Sequence, residues 1–285
     1  MRTNLTRRAF NMALAGAGVS WTTMANARDD ESRLVINWDK NFLTVAGDFP
    51  GGEIKINYLE AYCRAGSTDA DWRTHTVIPH TAEKLASSHP PHEIHLLNRL
   101  ADGVVVQHVV TAKHDEIDFR LVAENPTAVE SQAHWAQPCI RLDKFTGRDK
   151  LDYVPLCFVF VDGKLARLPT QPWATEARYT PGQVYCPKHV PRTDVNPRPL
   201  SSIVPSSGLC GCYSGDEKWI MATAWEPYQE LFQGVATCMH SDFRIGGLKP
   251  GEKKTIRGKM YIVPAVDIVK LVARYERDFP EQKPA

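Results

Sequence analysis

The chain has 285 residues, with 34 Lys or Arg against 33 Asp or Glu and a formal net charge of +1. Its charges are scattered, which leaves no basic footprint for a nucleic-acid partner. Beyond the N-terminal segment nothing approaches the ~18–20 consecutive apolar residues of a membrane helix, and the length suits one large β domain or two smaller ones.

The first element in chain order is a targeting segment, residues 1–27. Thr6-Arg7-Arg8-Ala9-Phe10 precedes a weakly apolar run from Met12 to Trp21, and Ala25-Asn26-Ala27 supplies a small-x-small cleavage pattern. Paired arginines before a bulky apolar residue are what the twin-arginine exporter reads, and the run is too short and too rich in Ala and Gly to span a bilayer. A periplasmic or secreted location is therefore expected, with an ordinary secretory signal as the alternative. Loss of Arg2, Arg7 and Arg8 takes the net charge to −2 and leaves residues 28–285 as the folded part, expected to be a single β domain.

That part carries seven cysteines, Cys63, Cys139, Cys157, Cys186, Cys210, Cys212 and Cys238. An odd number leaves one thiol without an internal partner, and no CxxC pair occurs, so neither a fully stapled scaffold nor a zinc ribbon is expected. No cofactor motif is visible, and neither a cofactor nor a metal is expected.

Short runs bounded by turn formers predict strands at Arg33–Trp38, Glu53–Ala61, Glu93–Leu97, Val104–Thr111, Ile117–Glu124, Phe158–Val161, Trp219–Trp225, Val235–His240 and Lys254–Val263. The clearest is the stretch from Leu100 to Asn125, where Ala101-Asp102-Gly103 and Lys113-His114-Asp115-Glu116 turn one alternating strand into the next. The histidines between His75 and His80 and between His89 and His95 are irregularly spaced and read mostly as loop. One helix is expected, from Val266 to Tyr275, with Asp267 early and Lys270 and Arg274 late as the helix dipole prefers. A proline-rich stretch at about 168–205 has little periodicity; Trp173 and its tyrosines argue that it is ordered.

Three clusters carry candidate chemistry. His134-Trp135-Ala136-Gln137 with Arg141 combines a titratable proton carrier, a sugar-stacking ring and donors for hydroxyl groups. Trp225-Glu226-Pro227-Tyr228 ends a strong apolar strand with a carboxylate suited to acid or base work, and Glu226 is favoured over Glu230. Alternation places Cys238, His240 and Asp242 on one strand face, where His240 and Asp242 offer ligand contacts or a mutual pairing. Arg64 and Trp72 add a forked donor and a stacking face. For each, the plain alternative is a hydrogen-bonded structural residue or a solvated loop.

Leu100-Ala101-Asp102-Gly103, Asn125-Pro126-Thr127, the strand start at His134-Trp135, the late carboxylate Glu226 and Leu248-Lys249-Pro250-Gly251-Glu252 before a closing strand occur in an order that resembles the galactose mutarotase-like, or aldose 1-epimerase-like, superfamily. The resemblance spans roughly residues 53–264. It implies a mainly β chain, a large antiparallel supersandwich with a short C-terminal helix, whose concave face binds sugars. It also implies His134 as the acid, Glu226 as the base and Arg64 as the sugar-binding arginine. The chain departs from the family in having His134-Trp135-Ala136-Gln137-Pro138 where a His-x-Tyr-Phe-Asn stretch is usual, and the proline-rich stretch is an insertion.

The function expected from these residues is carbohydrate chemistry outside the cytoplasm, epimerase-like or lyase-like proton transfer on a sugar or uronic acid. His134 and Glu226 would be catalytic, with Arg64, Trp72, Trp135, Gln137, Arg141, Trp173, Tyr228, His240 and Asp242 around the ligand. The partner is a carbohydrate; oligomeric state is not encoded. The alternatives are a non-catalytic carbohydrate-binding protein and a metal-dependent sugar hydrolase using His134, His240 and Asp242.

Overall fold

A computed structural model describes residues 33–67, 71–149, 152–170, 183–196, 200–233 and 237–282. The segment expected to act in targeting, Trp173 and Val235, the start of one expected strand, lie outside the described residues. Alternating and apolar runs fold as antiparallel strands, in two sheets packed face to face.

The first half of the chain holds β1 (Val35–Asp39), β2 (Phe42–Ala46), β3 (Glu53–Cys63), β4 (Val77–Ile78), β5 (His80–Leu85), β6 (Glu93–Leu100), β7 (Val105–Ala112), β8 (Glu116–Glu124) and β9 (Trp135–Arg141). A one-turn helix α1 (Asp143–Thr146) leads to β10 (Cys157–Val161), β11 (Lys164–Arg167), β12 (Gln183–Tyr185), β13 (Cys210–Tyr213) and β14 (Trp219–Glu226). Then come β15 (Tyr228–Gln233), β16 (Cys238–Arg244), β17 (Lys253–Pro264) and α2 (Ile268–Asp278). The first sheet runs β1-β2-β3-β9-β16-β15-β12, with β4 paired to β3; the second runs β11-β10-β13-β14-β17-β8-β7-β6-β5.

The expected strands are present with shifted ends, and the expected helix starts two residues later and runs three farther. His80 and His95 are not loop residues, since they lie in β5 and β6 and the ladder between these strands pairs Leu85 with His95. β15 escaped the sequence reading because its Gln229 and Glu230 are fully buried polar groups, which break apolar alternation. The turn at Glu226-Pro227 passes the chain from β14 in the second sheet to β15 in the first.

Between the sheets lies one apolar core to which nearly every strand contributes. Its centre is a run of rings, Tyr58 to Phe119 at 5.5 Å, Phe119 to Trp225 at 5.0 Å and Trp225 to Phe243 at 4.8 Å. His108 sits in it, fully buried between the Tyr58 and Tyr62 hydroxyls at 2.8 and 3.1 Å, and burial pushes it down to about 3, so it stays neutral. On the outer face of the second sheet α2 buries Leu271 and Tyr275 against Phe158, Phe160, Ile220 and Tyr261.

A buried ion cluster fastens α2 to that sheet. Glu116 accepts from Lys259 at 2.6 Å and Lys113 at 2.9 Å and pairs with Arg274, which also binds Asp115 at 2.9 Å. Burial pushes the Glu116 carboxyl up, but the Lys259 and Lys113 hydrogen bonds and the charges of Lys259 and Arg274 prevail and hold it at about 2. A depressed carboxylate stabilises the fold above its unfolded value and loses that contribution as pH falls toward its folded value. Glu116→Gln is expected to cost roughly 1–3 kcal/mol in denaturant melts at pH 7. The same melts are expected to show a shallower loss of stability between the ordinary value of 4.5 and about 2 than in the parent chain.

Candidate functional site

β9 is the middle strand of the site. Its ladders pair Ala61 with Gln137 and Cys63 with Trp135 on the β3 side, and Phe243 with Ala136 and Met239 with Ile140 on the β16 side. Ala136, Ile140, Met239 and Phe243 all enter the core, so alternation turns Trp135, Gln137, Cys139 and Arg141, with Cys238, His240, Asp242 and Arg244, to the opposite face. Glu230 joins them, paired laterally with Asp242.

This polar face is roofed by the chain itself. The segment after β12 packs Cys186, Val190 and Val195 with Val184 against Phe232. The Asn196 backbone N–H donates to both Glu230 oxygens at 3.2 and 3.0 Å, and its side chain donates to Gln137 Oε1 at 2.9 Å. Gln137 in turn donates to Glu60 at 2.8 Å. Asp194 accepts from Arg244 at 3.1 Å, its backbone carbonyl accepts from Gln229, and its Oδ2 lies 3.5 Å from His134 Nδ1. The proline-rich stretch therefore supplies a cover, and the cover supplies an acid.

Two carboxyls beneath it are fully buried. Burial, opposed by the Asn196 hydrogen bond and reinforced by the Asp194 charge, pushes Glu230 up to about 8. Asp242 is pushed well above the usual carboxylate range by burial and by the charges of Glu230 and Glu60, and among the described residues neither of its oxygens has a hydrogen-bond partner. A perturbed carboxyl pair beside an oriented histidine is what acid–base chemistry uses. His134 is held by its backbone, which donates to Cys63 and accepts from Ile245 and Gly246 at 2.8 Å each. Gly247, at φ +72°, leaves room for the ring: a Cβ there would lie 3.0 Å from His134 Nε2.

His134, Gln137, His240 and Asp242 are thus gathered on one sheet, but the carboxylate beside His134 is Asp194 rather than Glu226. Glu226 ends β14 in the other sheet and accepts from Gln282 at 2.7 Å. With Tyr228, His189, Ser206, Ser207 and Glu281 it lines a separate open cleft of about 290 Å³. Arg64 spends its donors on Gln132 and on the carbonyls of His75 and Val77 at 2.7–2.8 Å, so it braces a loop. Trp135 is fully buried, its ring tilted 47° against Trp72 at 6.2 Å, so it offers no free face to a sugar. Arg141 lies beside the Cys139 and Cys238 thiols. Among the described residues His134 joins no metal-ligand cluster; His240 does, with Cys139 and Cys238.

Sequence reasoning weighed Glu230 and ranked it below Glu226, and it missed Asp194, Asn196 and Arg244. The signal for Glu230 was an acid inside an otherwise strand-forming run, Tyr228 to Phe232; Asp194 had none, because its place depends on where a loop lands.

No protein-family model matches the sequence, and no curated protein does. Among solved structures, an α-N-acetylgalactosaminidase from Bifidobacterium bifidum aligns with 88% of this chain at 8% identity and a TM-score of 0.50, this chain covering 38% of its length. A galactose mutarotase-like protein from Lactobacillus casei aligns over 80% of this chain and 99% of its own, at 8% identity and a TM-score of 0.43. The Slr1438 protein from Synechocystis aligns over 84% and 98%, at 10% and 0.44. The fold is a two-sheet antiparallel β-sandwich with a C-terminal helix. In this chain the face that carries Glu230 and Asp242 is closed by residues 186–196 and is acidic beneath them.

A carboxyl whose folded value is raised stabilises most below its unfolded value, and that contribution is lost as pH rises through the folded value. For Glu230 the window runs from the ordinary value of 4.5 to about 8. Glu230→Gln is therefore expected to gain stability relative to the parent as pH rises across that window. Paired thermal melts at pH 5 and pH 9 check this; an equal difference at both would show that Glu230 is ionised throughout.

Proposed function

We propose that this protein is an exported carbohydrate-active enzyme that transfers a proton on a neutral sugar, epimerase-like, with Glu230 and His134 as the acid and base. The observation that carries the reading is the fully buried Glu230–Asp242 pair, with Asp194, whose charge acts on Glu230, 3.5 Å from His134 Nδ1. Glu230, pushed up to about 8, keeps its proton at neutral pH and is the donor. His134 is the acceptor; its Nδ1 lies 3.5 Å from Asp194 Oδ2, an approach at the margin of a hydrogen bond.

The face favours an uncharged ring over a uronic acid. Its acids are Asp194, Glu230, Asp242 and Glu60, and Arg244 is already engaged by Asp194 and Gln229. The arginine that would clamp a carboxylate, Arg64, is committed elsewhere, which removes the support for lyase-like elimination. Sugar entry requires Asp194 and Asn196 to release Gln229, Glu230 and Gln137, so binding and movement of residues 186–196 are coupled. The similar fold of an α-N-acetylgalactosaminidase is in keeping with a sugar ligand.

A second reading has its own observation. The open cleft around Glu226, with His189, Tyr228 and two serines, has the polar lining and the aromatic ring of a non-catalytic carbohydrate site.

The test is a glycan panel with residues 28–285, reading binding and product. His134→Asn and Glu230→Gln are each expected to lower turnover ~10²–10⁴-fold while leaving binding, and Glu226→Gln is expected to leave turnover unchanged. Binding lost only in Glu226→Gln, with no turnover in any form, would move the protein to the second reading. For export, replacing Arg7 and Arg8 together by Lys is expected to hold the uncleaved chain in the cytoplasm, read by cell fractionation.

A further inference from the structure

We propose that Cys139, Cys238 and His240 form a metal site for a soft divalent cation, zinc foremost, with three protein ligands and an open fourth position. The inference departs from the expectation that no metal is bound, and it stands independently of the proton-transfer reading.

The three ligand atoms lie within 4.8 Å of one another on the polar face of the first sheet. The register brings them there: Met239 pairs with Ile140 toward the core, so their neighbours His240 and Cys139 fall side by side on the other face, and Cys238 stands two residues from His240. All three are buried, with exposures of 1%, 6% and 2% in chain order.

The donor set matches the ion. His240 Nε2 lies 3.4 Å from Cys238 Sγ. Zn–S bonds of 2.3 Å and Zn–N bonds of 2.0–2.1 Å at a tetrahedral angle separate N and S by about 3.6 Å. The thiols and ring therefore already span an edge of such a site. Two thiolates, a neutral imidazole and a divalent cation sum to zero, so binding adds no net charge to a dry face.

The ring is also held in place, packed on Phe232 at 4.9 Å. Ligation through Nε2, the nitrogen beside Cys238 Sγ, fixes the tautomer with the proton on Nδ1, which makes no hydrogen bond among the described residues. Among the described residues no fourth His, Cys, Asp or Glu joins the group, which is the three-ligand pattern of sites that keep a position for water or a substrate oxygen. Thiolate and imidazole donors select zinc over magnesium or calcium.

The experiment uses residues 28–285 purified with reductant and without a metal-affinity step, then reconstituted with Zn²⁺ or Co²⁺ and passed through a desalting column. About one equivalent of metal is expected to remain, and the cobalt form is expected to show thiolate-to-cobalt absorption in the near ultraviolet with intense tetrahedral bands in the visible. Cys139→Ser, Cys238→Ser and His240→Ala are each expected to abolish retention, whereas Cys186→Ser, outside the cluster, keeps it. The parent protein decides the matter even if a variant misfolds. No retained metal in reduced protein, a cobalt spectrum without thiolate absorption, or a Cys139–Cys238 disulfide found by mass spectrometry in protein that resists metal after reduction would each overturn the proposal.

Discussion

The register of β9 between β3 and β16 is the constraint on which the site depends. Ala136 and Ile140 on this strand must meet Met239 and Phe243 in the core, and strand geometry then leaves no choice about where the intervening residues go. A slip of β9 by one position would put Gln137 and Cys139 into the apolar interior and turn Ala136 and Ile140 out of it. The core thus dictates which polar groups share a face without touching them, and the chemistry of that face follows from packing on the other.

Residues 186–196 then change what this face is. An uncovered row of Glu230, Asp242 and His240 would be solvated and unremarkable in its ionisation. Covered, it carries carboxyls pushed toward their neutral forms and an imidazole nitrogen with no hydrogen bond. Burying these groups is costly, and the apolar contacts of Val190 and Val195 with Phe232 and the hydrogen bonds of Asn196 offset part of it. The two ends of the face differ in character: acids and amides gather near Asn196, and sulfur and imidazole gather at Cys139 and Cys238.

Much of the architecture was legible because period-two alternation and turn residues are local signals. The hairpins from Glu93 to Glu124 and the closing strand at Lys253–Pro264 needed no knowledge of their neighbours. His134 and Asp242 were also legible as chemistry-bearing residues at strand positions. Their partners were not. Glu226 had the stronger local signal, a carboxylate beside Trp and Pro, and yet the turn at Pro227 leaves it in the other sheet and brings Glu230, four residues later, to the polar face. Arg64 and Trp135 looked like ligand-binding groups because their types suit that role; loop carbonyls and a second indole took up their contacts instead.

The sequence alone determined that this chain is an antiparallel β protein with a C-terminal helix, and which residue types stand at its strand starts, because hydrophobic periodicity and turn chemistry act over a few residues. Tertiary structure alone decided that His134 meets Asp194, that Glu230 rather than Glu226 lies on the face that carries Asp242, and that Cys139 joins Cys238 and His240. Those pairings join residues from 60 to about 100 positions apart along the chain. They are set by cross-sheet register and by the landing of a loop, which no local pattern encodes.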